Sequence, residues 1–377
     1  MPEWLKGTDC KSVGYAYAGS KPALSTKPAC LQSSVVCDFY YTSLCKNLYS
    51  ARMKQIPLNL LTLYADLTQA LALSGGRGGT LASKTVGGQK HLYEVRRVGT
   101  TYTQNYIGPA DRDDVKAAAA RIKRTANEAK ARKSTVSALK RARVPAPDPY
   151  MGRLLEVLSE QGLFERGVVL VGTGAYQLYP CIAGAFLSAG LMTKDVDLAI
   201  PYGVSFAGAD PVPMEQILRR ADPTFEARMN RDHKWAQVFV ASSGFQVDLL
   251  TTPRRTKQPL HVKALSAAAV PLQFLDYLVA EPIEVVALYG AGVPVRVPAP
   301  ERYAIHKLIV AEVRRATSVK APKDLSQAND LLEALILRDP DVIVDAIADA
   351  RSRGPKWRKL VDAGLKKIGR GLDGERL

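Results

Sequence analysis

Histidine and cysteine are scarce in this chain, and their spacing does not suit metal chemistry. Its 377 residues hold four His and five Cys. No His pair shows HxxH or HExxH spacing, which argues against a zinc enzyme. Four of the cysteines, Cys10, Cys30, Cys37 and Cys45, fall within the first 45 residues without a CxxC pair, and only Cys181 lies beyond. The body of the chain therefore has no disulfide framework, and a reducing, cytoplasmic setting is expected. Aromatic residues make up 7% of the chain. Long apolar runs are missing too: the longest, about Val168 to Leu191, is broken by Gly, Pro, Thr and Gln. It reads as a buried strand plus helix rather than a membrane span. A lysine-then-apolar signal pattern, a Walker lysine loop, a GxSxG elbow and a kinase HRD and DFG pair are all lacking, so hydrolase and kinase readings find no support.

What is present is ordinary globular composition, 47% hydrophobic and 23% charged, over a length that suits two or three domains. Lys and Arg number 52 against 36 Asp and Glu, a net charge of +16 that favours a polyanionic partner such as nucleic acid or nucleotide. The opening residues, 1–52, show neither helical nor alternating period and read as a tail. Their wording resembles the conceptual translation of a bacterial transfer-RNA gene, with Met53 as the expected true start. Immediately after it, Leu60, Leu61, Leu63, Leu67 and Leu71 have helical spacing within Leu58 to Leu73.

A basic segment completes the expected N-terminal unit, residues 53–147. His91 to Tyr106 reads as a hairpin turning at Gly99. From about Asp111 to Arg143 a helix follows, and between Arg112 and Arg143 eleven Lys or Arg stand against Asp113, Asp114 and Glu128. Arg96, Arg97, Tyr102, Tyr106, Arg121, Lys123 and Arg124 are the candidate nucleic-acid contacts, cations for phosphates and tyrosines for unpaired bases. A solvated helical linker is the plainer reading of the same charges. Pro145, Pro147 and Pro149 mark the boundary.

The expected core, residues 148–297, carries the chemistry. Leu154, Leu155, Val157, Leu158 and Leu163 suggest an amphipathic helix, and Gly167 to Gly172 a buried strand. That strand ends in Gly172-Thr173-Gly174, small residues that let backbone amides approach a phosphate ahead of a helix expected from about Ala175. In the next strand, Lys194 to Ile200, Asp195 and Asp197 stand two apart and share a face. A third acid, Asp248, interrupts the apolar strand Gly244 to Leu250. Carboxylates gathered on neighbouring strands repel, and a divalent cation with oxygen ligands is the usual relief. His233 and Lys234 precede a further strand, Trp235 to Ala241, and are placed to face the same cleft.

A strand ending in Gly-Thr, then Asp195-x-Asp197, then Asp248 resembles the nucleotidyltransferase superfamily of the DNA polymerase β type. Within it the chain looks most like the bacterial group related to the AbiEii and MenT toxin enzymes, over about Leu58 to Ile336. The segments PERYAIHKLIVAEVRR and KAPKDLSQANDLLEAL are similar to the helical part of the toxin group, and the likeness gives nucleotide-binding roles to Lys307 and Asp324. Two departures stand out: Thr173 in place of Ser or Gly, and 21 residues between it and Asp195, expected to lengthen the intervening helix.

The resemblance implies an α/β (α+β) fold: a polymerase-β-like nucleotidyltransferase core with a mixed sheet, an N-terminal basic hairpin and helix, and a C-terminal helical bundle over residues 298–377. It implies two Mg²⁺ ions, with Mn²⁺ as an alternative, held by Asp195, Asp197 and Asp248 as catalytic and metal-binding residues. Gly172 and Thr173 would hold the triphosphate of an NTP, ATP among the candidates. The implied function is transfer of an NMP to a macromolecular acceptor such as tRNA, within a toxin or defence system that would include an antitoxin protein. The rival reading is a catalytically silent member of the fold that binds RNA or a protein partner. Convergence of the three acids favours the enzyme over the silent binder.

Overall fold

The computed structural model describes residues 53–74, 79–98, 100–187, 193–201, 204, 212–229, 235–253, 258–314 and 318–369. The expectations for 1–52, Gly99, His233 and Lys234 lie outside the described residues. Helix α1, Leu58–Leu73, coincides with the leucine-spaced segment. It is followed by a three-stranded antiparallel sheet of β1 (Thr80–Val86), β2 (Gln89–Val98) and β3 (Thr101–Pro109). The sequence-based hairpin is thus only two-thirds of the sheet. The first strand is joined through Gly87-Gly88, whose φ angles of 59° and 80° suit the tight turn that such a pair permits. Helix α2, Asp113–Arg141, packs beneath this sheet.

The core begins at α3, Pro149–Glu160, where Asp148 caps the helix by accepting from the Tyr150 and Met151 amides. Its buried Leu154, Leu155, Val157 and Leu158 bear out the expected amphipathic face. The buried strand is short, β4 (Val169–Val171), and runs directly into α4 (Gly172–Tyr176). This corrects the helix expected from Ala175. Nor do the described residues before Asp195 form a lengthened helix: α5 (Pro180–Ala183) is a separate turn that ends at Gly184, with φ of 71°. Pro180 cannot continue a preceding helix, which accounts for the break.

The central sheet has seven strands, with the path β4, β5 (Asp195–Ala199), β8 (Gln246–Thr251), β10 (Ala267–Pro271) and β9 (Leu260–Val262). β4 is antiparallel to β5, whereas β5, β8 and β10 are parallel, so the sheet is mixed. Along its other edge β8 pairs first with β7 (Val238–Val240), itself paired to β6 (Glu226–Arg228), and then with β10. Helices α6 (Met214–Ala221) and α7 (Leu275–Leu278) join these strands, and a separate hairpin, β11 (Pro282–Ala287) with β12 (Val293–Pro298), closes the core. Four helices follow: α8 (Pro300–Val313), α9 (Lys320–Ile336), α10 (Pro340–Ser352) and α11 (Pro355–Lys367). They pack on one another and share one apolar cluster with the sheet, reaching from Leu154 to Leu365. No helix among the described residues is long and apolar enough to cross a membrane.

A second apolar cluster joins α1 to the core, where Tyr64 and Leu67 meet Leu139, Val286 and Leu288. Within it the buried Tyr64 hydroxyl donates to the Val286 carbonyl at 3.1 Å and accepts from the Val286 amide at 2.9 Å. Replacing Tyr64 by Phe leaves both buried backbone groups unpaired. Tyr64→Phe is therefore expected to cost about 1 to 3 kcal/mol in denaturant unfolding. An unchanged midpoint would show that this helix is not held by that bond.

Candidate active site

The sheet register assembles the site. Asp197 lies directly opposite Asp248 across the parallel β5–β8 pair, and Asp195 opposite Gln246. Registered residues of parallel strands point to the same face, about 4.8 Å apart along the hydrogen-bonding direction. Alternation puts Asp195 on that face as well. On the other side of β5, Val171 is registered with Asp197, which brings the strand-to-helix turn at Gly172 against the carboxylate. Gly172 has φ of 64°, and a Cβ there would collide with Asp197 Oδ2. Only glycine fits both the backbone and the space. Thr173 follows, partly buried, in the first turn of α4.

Burial and the neighbouring carboxylate of Asp248 push the Asp197 pKa up to about 6, with Asp195 adding to the rise and Lys307 opposing it. Asp248 is also raised, chiefly by burial. Two groups inside the protein answer this charge. The Gln246 side-chain amide donates to both oxygens of Asp248, at 3.0 and 2.9 Å. The Lys320 ammonium stands 3.8 Å from Asp195, a largely exposed pair that contributes little to stability. Among the described residues, no three Asp, Glu, His or Cys side chains form a group that could hold a metal ion as they stand. Asp248 is turned toward Gln246, and Asp195 lies beside Lys320.

Helices α8 and α9 supply the cationic wall. Asp324, with 4% of its side chain exposed, binds Lys307 Nζ and Arg314 Nε, each at 2.7 Å. A carboxylate so deeply buried needs such partners, and losing both cations would leave it uncompensated. The Tyr303 hydroxyl, one helical turn before Lys307, donates to the Gly172 carbonyl at 2.9 Å and locks the bundle onto the glycine turn. Lys307 also stands 5.3 Å from the centre of the Tyr303 ring. Lys307 and Asp324 are thus brought to the Gly172–Asp197 corner. Tyr303, Arg314, Lys320 and Gln246 were missed in the sequence. The i,i+4 pairs Tyr303/Lys307 and Lys320/Asp324, and the i−2 position of Gln246 before Asp248, were the available signals.

The candidate nucleic-acid residues do not form one surface. Arg97 lies 5.7 Å from the Tyr102 ring, and Tyr102 is 69% exposed. Tyr106 takes the His91 ring nitrogen as a hydrogen-bond partner at 2.9 Å. Arg96 is instead ion-paired with Glu94 at 2.8 Å, two residues away on its own strand face. Gly108, which the bulge between Leu92 and Tyr93 sets on the face opposite Tyr106, sits against Val115 of α2. The tyrosines therefore look away from the helix that carries the exposed Arg121, Lys123 and Arg124.

Fold and site together define a mixed-sheet α/β protein with three acids on one sheet face beside a glycine turn. The nucleotidyltransferase family model matches residues 150–352, over half the chain, and the chain belongs to that family. A solved structure, an antigenic nucleotidyltransferase-like protein from Paracoccidioides brasiliensis, is 14% identical, with alignment over 58% of this chain and 95% of that one, and a TM-score of 0.30. No curated protein matches.

The raised Asp197 pKa sets the sign of a stability effect. Above pH 6 its carboxylate is charged in both folded and unfolded chains, and only the folded chain bears the cost of burial and repulsion. Asp197→Asn is expected to stabilise the metal-free protein by about 1 to 3 kcal/mol at pH 7.5. That gain fades as pH falls through about 6 toward the ordinary carboxylate value of 3.8. Equal melting of variant and parent at pH 7.5 in EDTA would contradict the crowding. Gly172→Ala is expected to lose about 1 to 3 kcal/mol by the same melting assay, through strain at positive φ and displacement of Asp197.

Proposed function

We propose that the chain transfers a nucleoside monophosphate from an NTP to a macromolecular acceptor, with RNA such as tRNA as the acceptor class. The observation that carries this reading is the in-register Asp197–Asp248 pair, with Asp195 two residues before Asp197 and the Gly172 turn against Asp197. Hard oxygen donors on one face, with a raised pKa at Asp197, suit Mg²⁺ or Mn²⁺, and Asp195, Asp197 and Asp248 are the residues to hold it. When bound, the ion would neutralise the triphosphate and acidify the attacking hydroxyl.

The remaining roles fall to the chain itself. Gly172 and Thr173 offer a backbone turn and a hydroxyl to the β- and γ-phosphates. Lys307, oriented by Asp324, brings a point charge to the triphosphate. The acceptor oxygen forms a bond to the α-phosphorus while the bond to the bridging oxygen breaks and pyrophosphate leaves. Asp248 accepts the acceptor's hydroxyl proton at its carboxylate, once released from Gln246. The exposed Arg97–Tyr102 pair and the Arg121, Lys123 and Arg124 charges support an RNA acceptor, and the toxin-like sequence motifs support a defence role with an antitoxin protein partner.

The test is transfer of label from each α-labelled NTP to total bacterial RNA by the full chain with Mg²⁺. Label on RNA is expected, reduced on the order of a thousandfold in the Asp195→Ala/Asp197→Ala variant. Label on protein alone would move the acceptor to protein. No transfer with any donor would favour the silent binding module.

A further inference from the structure

Away from the three acids, a cleft of about 710 Å³ opens between the N-terminal segment and the core. Its walls come from α1, β2, α2, α3 and the β11–β12 hairpin, and none of its lining residues belongs to the acid site. Four arginines and four glutamates line it, so bulk charge does not say what it holds. The bonding of two of the arginines does.

Arg132, on α2, is 4% exposed, makes no hydrogen bond or ion pair among the described residues, and has its Nε buried without a partner. An acid acting on it is Glu128, one turn back on the same helix and itself 3.8 Å from Arg124. Burial pushes the Arg132 pKa down and outweighs the opposing effect of Glu128. Arg296, on β12, faces the same cleft, and its Nε is likewise buried and unpaired although Glu284 stands opposite it in register. A buried charge left uncompensated is among the costliest arrangements in a fold, and an apolar side chain would fill the same space more stably. Arg132 is such a group, Arg296 adds a half-buried guanidinium whose Nε lacks a partner, and an anion in the cleft would complete both. Guanidinium groups match phosphate oxygens with paired N–H donors.

We propose that this cleft is a second nucleotide-unit site, in which Arg132 and Arg296 hold a phosphate. Its volume suits a mononucleotide. The wall glutamates, Glu156 and Glu160 among them, offer acceptors to the hydroxyl and amino groups of a nucleoside. β2 runs out of the cleft through Arg96 and Arg97, and the hairpin end beyond is held to the core by the Thr100 amide donating to the Arg220 carbonyl at 2.9 Å. The phosphate thus belongs either to a free nucleotide or to a strand lying along the hairpin. The inference does not depend on the catalytic reading, because it uses no residue of the acid site.

The test is calorimetric titration of the full chain in EDTA with adenosine 5′-monophosphate and, separately, with a short single-stranded oligoribonucleotide. Binding of at least one is expected, weakened about tenfold or more by Arg132→Gln and by Arg296→Gln and unchanged in Asp195→Ala/Asp197→Ala. Binding of the mononucleotide identifies a free nucleotide as the source; binding of the oligonucleotide alone identifies a strand. Should Arg132→Gln fail to fold, Arg296→Gln decides. Binding by neither probe, equal binding in the arginine variants, or loss of binding in the aspartate variant overturns the proposal.

Discussion

The parallel, in-register pairing of β5 with β8 is the constraint on which the rest of the site depends. It sets Asp197 beside Asp248 and Asp195 on the same face, an arrangement no isolated sheet would favour. The chain meets that repulsion with its own donors, the Gln246 amide on Asp248 and the Lys320 ammonium near Asp195. Both can be displaced: one is a neutral amide, the other a long, largely exposed side chain. Asp197, with Gly172 against it, has no such neighbour at bonding distance among the described residues and keeps a raised pKa although Lys307 opposes the rise. Crowded carboxylates beside a glycine turn are a costly arrangement, and on the proposed reading the bound cation is what relieves that cost.

The helical bundle completes the site. Tyr303 fastens α8 to the Gly172 carbonyl, and the buried Lys307–Asp324–Arg314 group fastens α8 to α9. Moving either helix would take Lys307 away from Asp197. The sheet and the bundle, both largely within the family match over residues 150–352, are thus joined at the Gly172–Asp197 corner. The N-terminal segment stands apart in its contacts, joined through the Tyr64 cluster and enclosing the arginine cleft where it meets the core.

Much of this was legible in the sequence because local rules and tertiary demands agree there. The Leu58–Leu73 helix, the acid strands and the proline-marked start of α3 follow from spacing, alternation and capping. The strand before Gln89 was passed over although Gly87-Gly88 announces its turn, because its residues alternate weakly and its described positions are mostly exposed. The stretch after Gly172 was misread for the opposite reason. Its apolar residues suggest a long helix, whereas Pro180 and Gly184 divide it into short turns packed under the bundle. Spacing sets Gln246 two residues before Asp248 and Tyr303 four before Lys307, but which atoms they bond, like the part played by Arg314, is decided by strand register and helix docking.

The central claim is that the three carboxylates form a cation-accepting centre from which Gln246 and Lys320 withdraw. Titration of the full chain with Mn²⁺, followed by the loss of the free-ion electron paramagnetic resonance signal, tests it most directly. The account predicts Mn²⁺ binding that weakens at least about tenfold in Asp248→Asn. Absence of binding, or binding indifferent to that substitution, would contradict it.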